Sequence, residues 1–411
     1  MGYNHNNVKA QSNCNCACKG EPGARGAQGV AGPMGPVNNN SWLLVGNSGT
    51  NASSNFIGTT DAVSFKFKVN NFESGIIDVT GGNAALGYKS LSSGIINTGN
   101  TAFGAFSLQN NSVGVNNVSI GYNSLLSNTT GNNNVAVGRA ALGSNVFGFG
   151  GVAIGALAMQ FNVADANTAV GYSSLQNNTN GIRNTAVGYE SLKSNTSSFN
   201  TAVGYKALAA NTGGTQNVSV GYEALVVNVS GYYNTAIGSR SLHANTTGLI
   251  NTALGTNALF SNTTGGANVA IGNTLTANTI GSDNISVGNG ATVTTGSANT
   301  VIGSYIGGSV TTGSYNTFLG SNPVGNQFGN GITTGSNNTI IGSRILGLAG
   351  GLSNNIILAD GAATIRLQFS GTGGLTLTGP SVSAAVATAS TNKIQVVVGT
   401  TTYYLLATTI P

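Results

Sequence analysis

The chain has 411 residues, of which 40% are hydrophobic and only 6% charged, and its formal net charge is +5. Disorder needs high charge with low hydrophobicity, and nucleic-acid binding needs a basic cluster interleaved with aromatics, so this composition argues against both. No apolar run is long enough to span a membrane, and Met1-Gly-Tyr-Asn-His lacks the basic-then-apolar layout of a secretion signal.

Residues 1–19 read as a polar tail carrying all three cysteines, Cys14, Cys16 and Cys18. Free thiols, a metal site and interchain disulfides are open readings. The i, i+2, i+4 spacing is unlike the usual zinc layouts, and three chains side by side would gather the thiols, which favours disulfides in an oxidising compartment. Residues 20–36 follow as an unbroken Gly-X-Y run on Gly20, Gly23, Gly26, Gly29, Gly32 and Gly35. Only glycine fits the axis of three wound polyproline-II strands, so the run predicts a collagen-like stalk of roughly 55 Å at ~3.1 Å per residue. A Gly-rich single-chain linker is the alternative.

Residues 37–80 change character. Ser41-Trp42-Leu-Leu-Val-Gly46-Asn47 leads to Asn55-Phe56-Ile57-Gly58, and Val63-Ser-Phe65-Lys-Phe67-Lys-Val69 alternates as a strand. This block reads as a β neck closing the N-terminal end of a repeat array, with Trp42 as a cap residue.

Residues 81–345 repeat one unit. Asn184-Thr-Ala-Val-Gly188, Asn200-Thr-Ala-Val-Gly204, Asn217-Val-Ser-Val-Gly221 and Asn234-Thr-Ala-Ile-Gly238 are spaced by 16 or 17 residues. So short a period means stacked coils, each stabilised by its neighbours. The three residues before each glycine alternate apolar, small, apolar, a period of two that places the outer pair on one side and the small residue on the other. Four residues after the glycine stands Leu192, Leu208, Leu225 or Leu242, which predicts a second short strand facing the same interior. Seven after it stands Asn195, Asn211, Asn228 or Asn245, a corner residue that tolerates the left-handed backbone. Gly, Asn and β-branched density makes a helix a poor fit. Two strands and two turns per coil predict a parallel β-helix or β-roll with asparagine ladders, and fifteen steps of about 4.8 Å give roughly 70 Å. Tyr172, Tyr189, Tyr205 and Tyr222 follow the glycine in four successive coils and should stack; stabilisation of the roll and a row of aromatic faces for sugar rings are both open. Asn128, Asn195, Asn228, Asn245 and Asn262 match the glycosylation sequon but fall where the turn wants asparagine, so they read as turns.

After Gly272 the middle strand residue becomes large, in Val301, Phe318 and Ile340. A strand apolar on both faces predicts a tighter trimer contact or a change of domain. Insertions such as 323–331 read as loops, where binding often sits. Residues 346–411 read as a C-terminal β cap, with a hairpin from Lys393-Ile-Gln-Val-Val-Val398 and Thr402-Tyr-Tyr-Leu-Leu406.

Three segments carry resemblances. The Asn-x-Ala-x-Gly coils resemble the Asn-Ser-Val-Ala-Ile-Gly repeat of the trimeric autotransporter adhesin head, a left-handed β-roll that trimerises; the family's coil is shorter. The Trp42 to Asp61 block resembles the segment preceding such repeats in phage tail-fibre-like and bacterial surface fibre proteins, and Asn354-Asn-Ile-Ile-Leu-Ala-Asp360 resembles their closing segment. The resemblance implies a homotrimeric fibre, in agreement with the collagen-like run.

Catalysis needs titratable groups gathered in a cleft. His5 and His243 are the only histidines, Asp61, Glu73 and Asp78 the only loose acidic cluster, and Asp165, Glu190 and Glu223 are taken to fall at unlike coil positions. No metal motif, nucleophile elbow or phosphate loop is present, so no catalytic residue, metal or cofactor is expected. The expected protein is all-β and non-enzymatic: a homotrimer with a collagen-like stalk, β neck, β-roll shaft and β cap. It would attach by its N-terminus to a base or particle and present a glycan or protein receptor surface, as a tail-fibre-like component of a virion. A bacterial cell-surface adhesin or extracellular appendage, and a passive structural filament, are the alternatives. Nucleic acid and membrane insertion are not expected.

Overall fold

The computed structural model describes residues 48, 51, 56–93, 98–322, 331–345, 347–360 and 364–377, and the backbone alone of 394–398 and 401–405. The chain divides into two units, Met1–Gly58 and Thr59–Pro411, and the fold belongs to the second. The three cysteines, the Gly-X-Y run, Trp42 and residues 323–330 lie outside the described residues.

The second unit is all-β, with no helix among the described residues. It is a parallel β-solenoid. A hairpin of β1 (Phe65–Val69) and β2 (Phe72–Ile77) leads to β3 (Ala84–Leu86), which pairs antiparallel with β2. From β3 onward each coil contributes one three-residue strand, from β4 (Thr101–Phe103) to β18 (Thr339–Ile341), and every one pairs parallel with the next. The parallel run ends at β19 (Ile356–Ala359), followed by antiparallel β20 (Ile365–Phe369) and β21 (Leu375–Leu377). A separate antiparallel pair, β22 (Ile394–Val398) and β23 (Thr401–Leu405), lies where the sequence predicts a hairpin.

Register is like upon like: Thr185 on Thr201 on Val218, and Ala186 on Ala202 on Ser219. The small middle residue is the one that faces inward. Ala186, Ala202, Ser219 and Ala236 are fully buried, and the interior beside them holds the leucine column and two asparagine columns. The large middle residues Val301, Phe318, Ile340 and Ile357 are also fully buried, while the outer residues Ile302, Leu319 and Ile341 stay exposed. The gain in size therefore goes inward, and the same sheet continues in register, so no change of domain occurs there.

The predicted second strand does not form. Leu192, Leu208, Leu225 and Leu242 are fully buried, but they lie in a turn, and the leucines of this column have φ of 46–53°. The residue two positions after each anchoring glycine is left-handed as well, at φ 51–62° from Lys89 to Asn257. A left-handed L-residue costs roughly 1–2 kcal/mol, so the turn persists only because the stack holds it. It turns each leucine inward while its N–H reaches the next coil, as in Leu192 N to Ala207 O at 3.0 Å and Leu208 N to Ala224 O at 3.0 Å. The anchoring glycine is required by approach: a Cβ on Gly204, at φ 135°, would stand 2.4 Å from the carbonyl oxygen of Gly221.

Asparagines set the stacking. In the column before the strands, Asn217 N donates to Asn200 Oδ1 at 3.0 Å and Asn217 Nδ2 to Gly231 O at 2.9 Å. The pattern recurs from Asn83 to Asn355, with Gly151 standing in one rung. The first rung, Asn83, donates to the buried carboxylate of Asp78 at 2.9 Å, and the last, Asn355, accepts from Gln368 of β20 at 3.1 Å. In the corner column, Asn245 Nδ2 donates to Asn228 Oδ1 and to Gly248 O, while its Oδ1 accepts from Asn262. That column stops at Asn278, whose Oδ1 has no hydrogen-bond partner because buried Val293 occupies the next coil's place.

Each unmade buried hydrogen bond costs about 1–3 kcal/mol. Asn245→Ala is therefore expected to destabilise by about 1–3 kcal/mol more than Asn278→Ala in chemical denaturation, since both donate twice but only Asn245 also accepts from the next rung. Burial pushes the Asp78 carboxyl up, but hydrogen bonds from Asn83, Ser64, Thr80 and Gly81 outweigh it and leave it below its ordinary value. A carboxyl lowered by folding contributes stability above its unfolded pKa and loses it as pH falls through the lowered folded value. Thermal unfolding should show the full gap between wild type and Asp78→Ala at neutral pH, shrinking below about pH 4.

Candidate ligand-binding face

Because the coils from Gly87 to Gly255 share one turn after the glycine, residues at one offset from it form a surface column. Tyr172, Tyr189, Tyr205 and Tyr222, one after the glycine, stack with ring centroids 5.3, 5.4 and 5.2 Å apart and interplanar angles of 15°, 12° and 7°. Parallel rings this close cannot lie side by side in one plane. They form an offset stack, in which each ring turns part of its face to the next and leaves its edge and a strip of face exposed. The four predicted residues are thus brought together, but the faces a sugar would cover are partly engaged with one another.

The next column carries charge. Glu190, Lys206, Glu223 and Arg240 each stand two residues after an anchoring glycine, in four successive coils. The expectation that Glu190 and Glu223 occupy unlike coil positions is wrong; counting from Gly188 and Gly221 reveals the match. Signs alternate along the column. Glu190 pairs with Lys193 at 2.6 Å and faces Lys206 at 3.7 Å, and Glu223 accepts from Arg240 Nε at 3.3 Å. The carboxylates are half-buried and the cations reach solvent, so each pair is worth about 1 kcal/mol or less. The Tyr205 hydroxyl beside Lys206, reinforced by the charge of Glu190, raises the lysine's pKa above its ordinary value and keeps it cationic. Lys206 also lies over the Tyr205 ring at 5.3 Å and Arg240 over the Tyr222 ring at 5.7 Å.

Chemistry is concentrated here. Nine charged residues lie between positions 98 and 322, and five of them, Glu190, Lys193, Lys206, Glu223 and Arg240, share this turn in four consecutive coils. Beyond Tyr222 the face opens into a groove of about 350 Å³ lined by Arg240, Asn257, Phe260, Asn273 and Thr276. Its cause is local: Gly238 to Leu242 and Gly255 to Leu259 span four positions, whereas Gly272 to Leu275 spans three. The shortened turn leaves room beside Phe260, whose ring stacks on His243 at 4.9 Å and 15°. His243 Nε2 lies 3.7 Å from Glu223 Oε2. None of the sequence motifs points to this groove; the missing residue between Gly272 and Leu275 is the signal that marks it.

Other acids have structural partners. Asp78 is buried among its four donors and Glu73 pairs with Lys66 at 2.7 Å. Among the described residues no three metal-ligating side chains gather, and no helix is long and apolar enough to cross a membrane. The sequon asparagines Asn128, Asn195, Asn228, Asn245 and Asn262 are fully buried with Nδ2 donated into the stack, which accounts for them as turn residues.

No family model, curated protein or solved structure matches the chain.

Each stacked aromatic pair contributes about 0.5–1.5 kcal/mol beyond its buried area. Tyr205→Ala breaks two such pairs and Tyr172→Ala one, so the first is expected to cost about 1–3 kcal/mol and the second about half as much, measured by equilibrium unfolding.

Proposed function

We propose that this chain is the subunit of a homotrimeric, non-enzymatic fibre that presents an attachment surface, as a tail-fibre-like component of a virion. One observation carries the reading. The outer residue that ends each strand points away from the solenoid, and Ile120, Ile154, Val203, Ile237, Leu254 and Ile271 are each 36–44% exposed. In-register pairing joins them into one aliphatic column along the parallel sheet. A row of exposed aliphatic side chains held in one line favours association over a solvated face. Association of three copies agrees with the Gly-X-Y run at 20–36, which needs three chains to form a stalk.

The division of the coil supports the rest. The strand face offers the lateral contact, and the turn face, with its tyrosine stack and charge column, remains for a receptor. Glycans or a surface protein are the receptor classes this face suits, since it combines aromatic edges, hydroxyls and paired charges. The terminal hairpins would close the ends of the shaft, and Cys14, Cys16 and Cys18 would join the three stalks by disulfides.

Light scattering of the full-length protein should give three times the chain mass of 40.9 kDa. Val203→Lys with Ile237→Lys places charges on the exposed column without entering the interior, and is expected to yield folded monomers. A monomeric wild-type protein, or trimers unaffected by this pair, would overturn the assembly. Immunogold against the shaft should label virus particles or their tails; gold on cell surfaces or free filaments would instead establish the adhesin or appendage.

A further inference from the structure

We propose that the groove behind Arg240 is a subsite for one carboxylate-bearing sugar, an inference that rests on the reading of this chain as an attachment protein. The lining supplies the three elements such a ligand needs. Phe260 provides an apolar ring, half-buried and held in place by its stack on His243. Arg240 provides a cation whose planar fork matches a carboxylate in two-point contact. Glu223 takes only its Nε, and the Tyr222 ring lies beneath it, so the guanidinium is oriented while its two terminal nitrogens make no hydrogen bond to described residues. Asn257, Asn273 and Thr276 provide amide and hydroxyl groups for ring hydroxyls, and none of these side chains is hydrogen-bonded within the described chain.

That last point separates these amides from the interior asparagines. Interior asparagines of the two columns are tied into the stack, as Asn245, Asn251 and Asn262 are in the neighbouring coils. The amides of Asn257 and Asn273 face a groove instead, beside a cation and an aromatic ring. No acidic side chain lines it, and the nearby carboxylate of Glu223 engages Arg240 at Nε, so a carboxylate entering at the terminal nitrogens of the guanidinium meets the free fork, the amide and hydroxyl groups and the ring. Its volume of about 350 Å³ lies at the small end of ligand sites, suited to a single pyranose rather than a longer chain. A neutral sugar would use Phe260 and the amides but leave the arginine fork unused. A small carboxylate such as acetate would use the fork and leave the ring unused.

The test is saturation-transfer NMR on the full-length protein with glucuronic acid, N-acetylneuraminic acid, glucose and acetate as probes. Saturation of the acidic sugars' ring protons, with weaker transfer to glucose and to acetate, is the expected result. Arg240→Gln should weaken binding of the acidic sugars at least tenfold and remove the preference over glucose. Phe260→Ala should lose the ring-proton signal, and Tyr315→Ala, at an exposed ring that lines no part of the groove, should keep it. Equal binding of acidic and neutral sugars, unchanged affinity in Arg240→Gln, or loss of binding in the tyrosine variant alone would overturn the assignment. Cell adhesion by the wild-type protein without any sugar signal would overturn the groove and leave the attachment reading standing. Absence of both would sink the two together.

Discussion

The buried asparagine amide is the interaction on which this structure depends. Each coil offers the next a side-chain acceptor for a backbone N–H and a side-chain donor for a turn carbonyl, as Asn217 does between Asn234 and Gly231. An unpaired amide in this interior would cost more than a made one contributes, so the bond acts mainly as a restraint on register. It forces successive coils to the same height and the same angular position. A column of identical residues is the direct consequence. The restraint also has to be terminated, and the two ends use different chemistry: a carboxylate that only accepts, at Asp78, and a glutamine that donates, at Gln368.

Tight stacking dictates composition elsewhere in the coil. Glycine recurs where the backbones of neighbouring coils come closest, and alanine or serine recurs at the inward strand position because leucine and asparagine already fill the interior. Where serine replaces alanine, its hydroxyl finds a hydrogen-bond partner: Ser119 meets Ser107 at 2.8 Å and Ser124 at 2.6 Å, and Ser219 donates to Ala224 O at 2.8 Å. Toward the C-terminal end the corner asparagine gives way to Val293, Val310 and Ile332, and the strand interior enlarges to Phe318. The interior there becomes more apolar while one asparagine column continues through Asn299, Asn316 and Asn338.

Because interior positions are so constrained, variation is left to the outward positions, and the two outward faces diverge. The strand face is regular, an aliphatic column beside one of threonine and valine, suited to contact with another surface of the same kind. The turn face is varied, and its tyrosines, alternating charges and shortened turn lie in adjacent coils. An attachment fibre needs both kinds of face, which is the physical basis of the functional proposal. The shortening that accompanies the groove falls between the anchoring glycine and the leucine, whereas the 16-residue coils that begin at Gly155 and Gly188 are shortened between the corner asparagine and the next strand.

Much of this was readable from residue order. The spacing of Gly188, Gly204, Gly221 and Gly238, the Asn-x-Ala-x-Gly strands and the corner asparagines together determined an all-β stack of short coils with amide ladders and a tyrosine column. Those features are periodic, and periodicity survives in one dimension. Three others were decided only by the tertiary structure. The inward side of the strand depends on the interior width left by leucine and asparagine, not on alternation alone. Leu192 and its equivalents read as strand residues because the sign of φ leaves no trace in side-chain type, and a left-handed leucine is tolerated only inside a stack that bonds its N–H. The groove beside Phe260 exists because Arg240, Asn257 and Thr276, far apart along the chain, are brought together by the coil rise and by one residue missing from a turn.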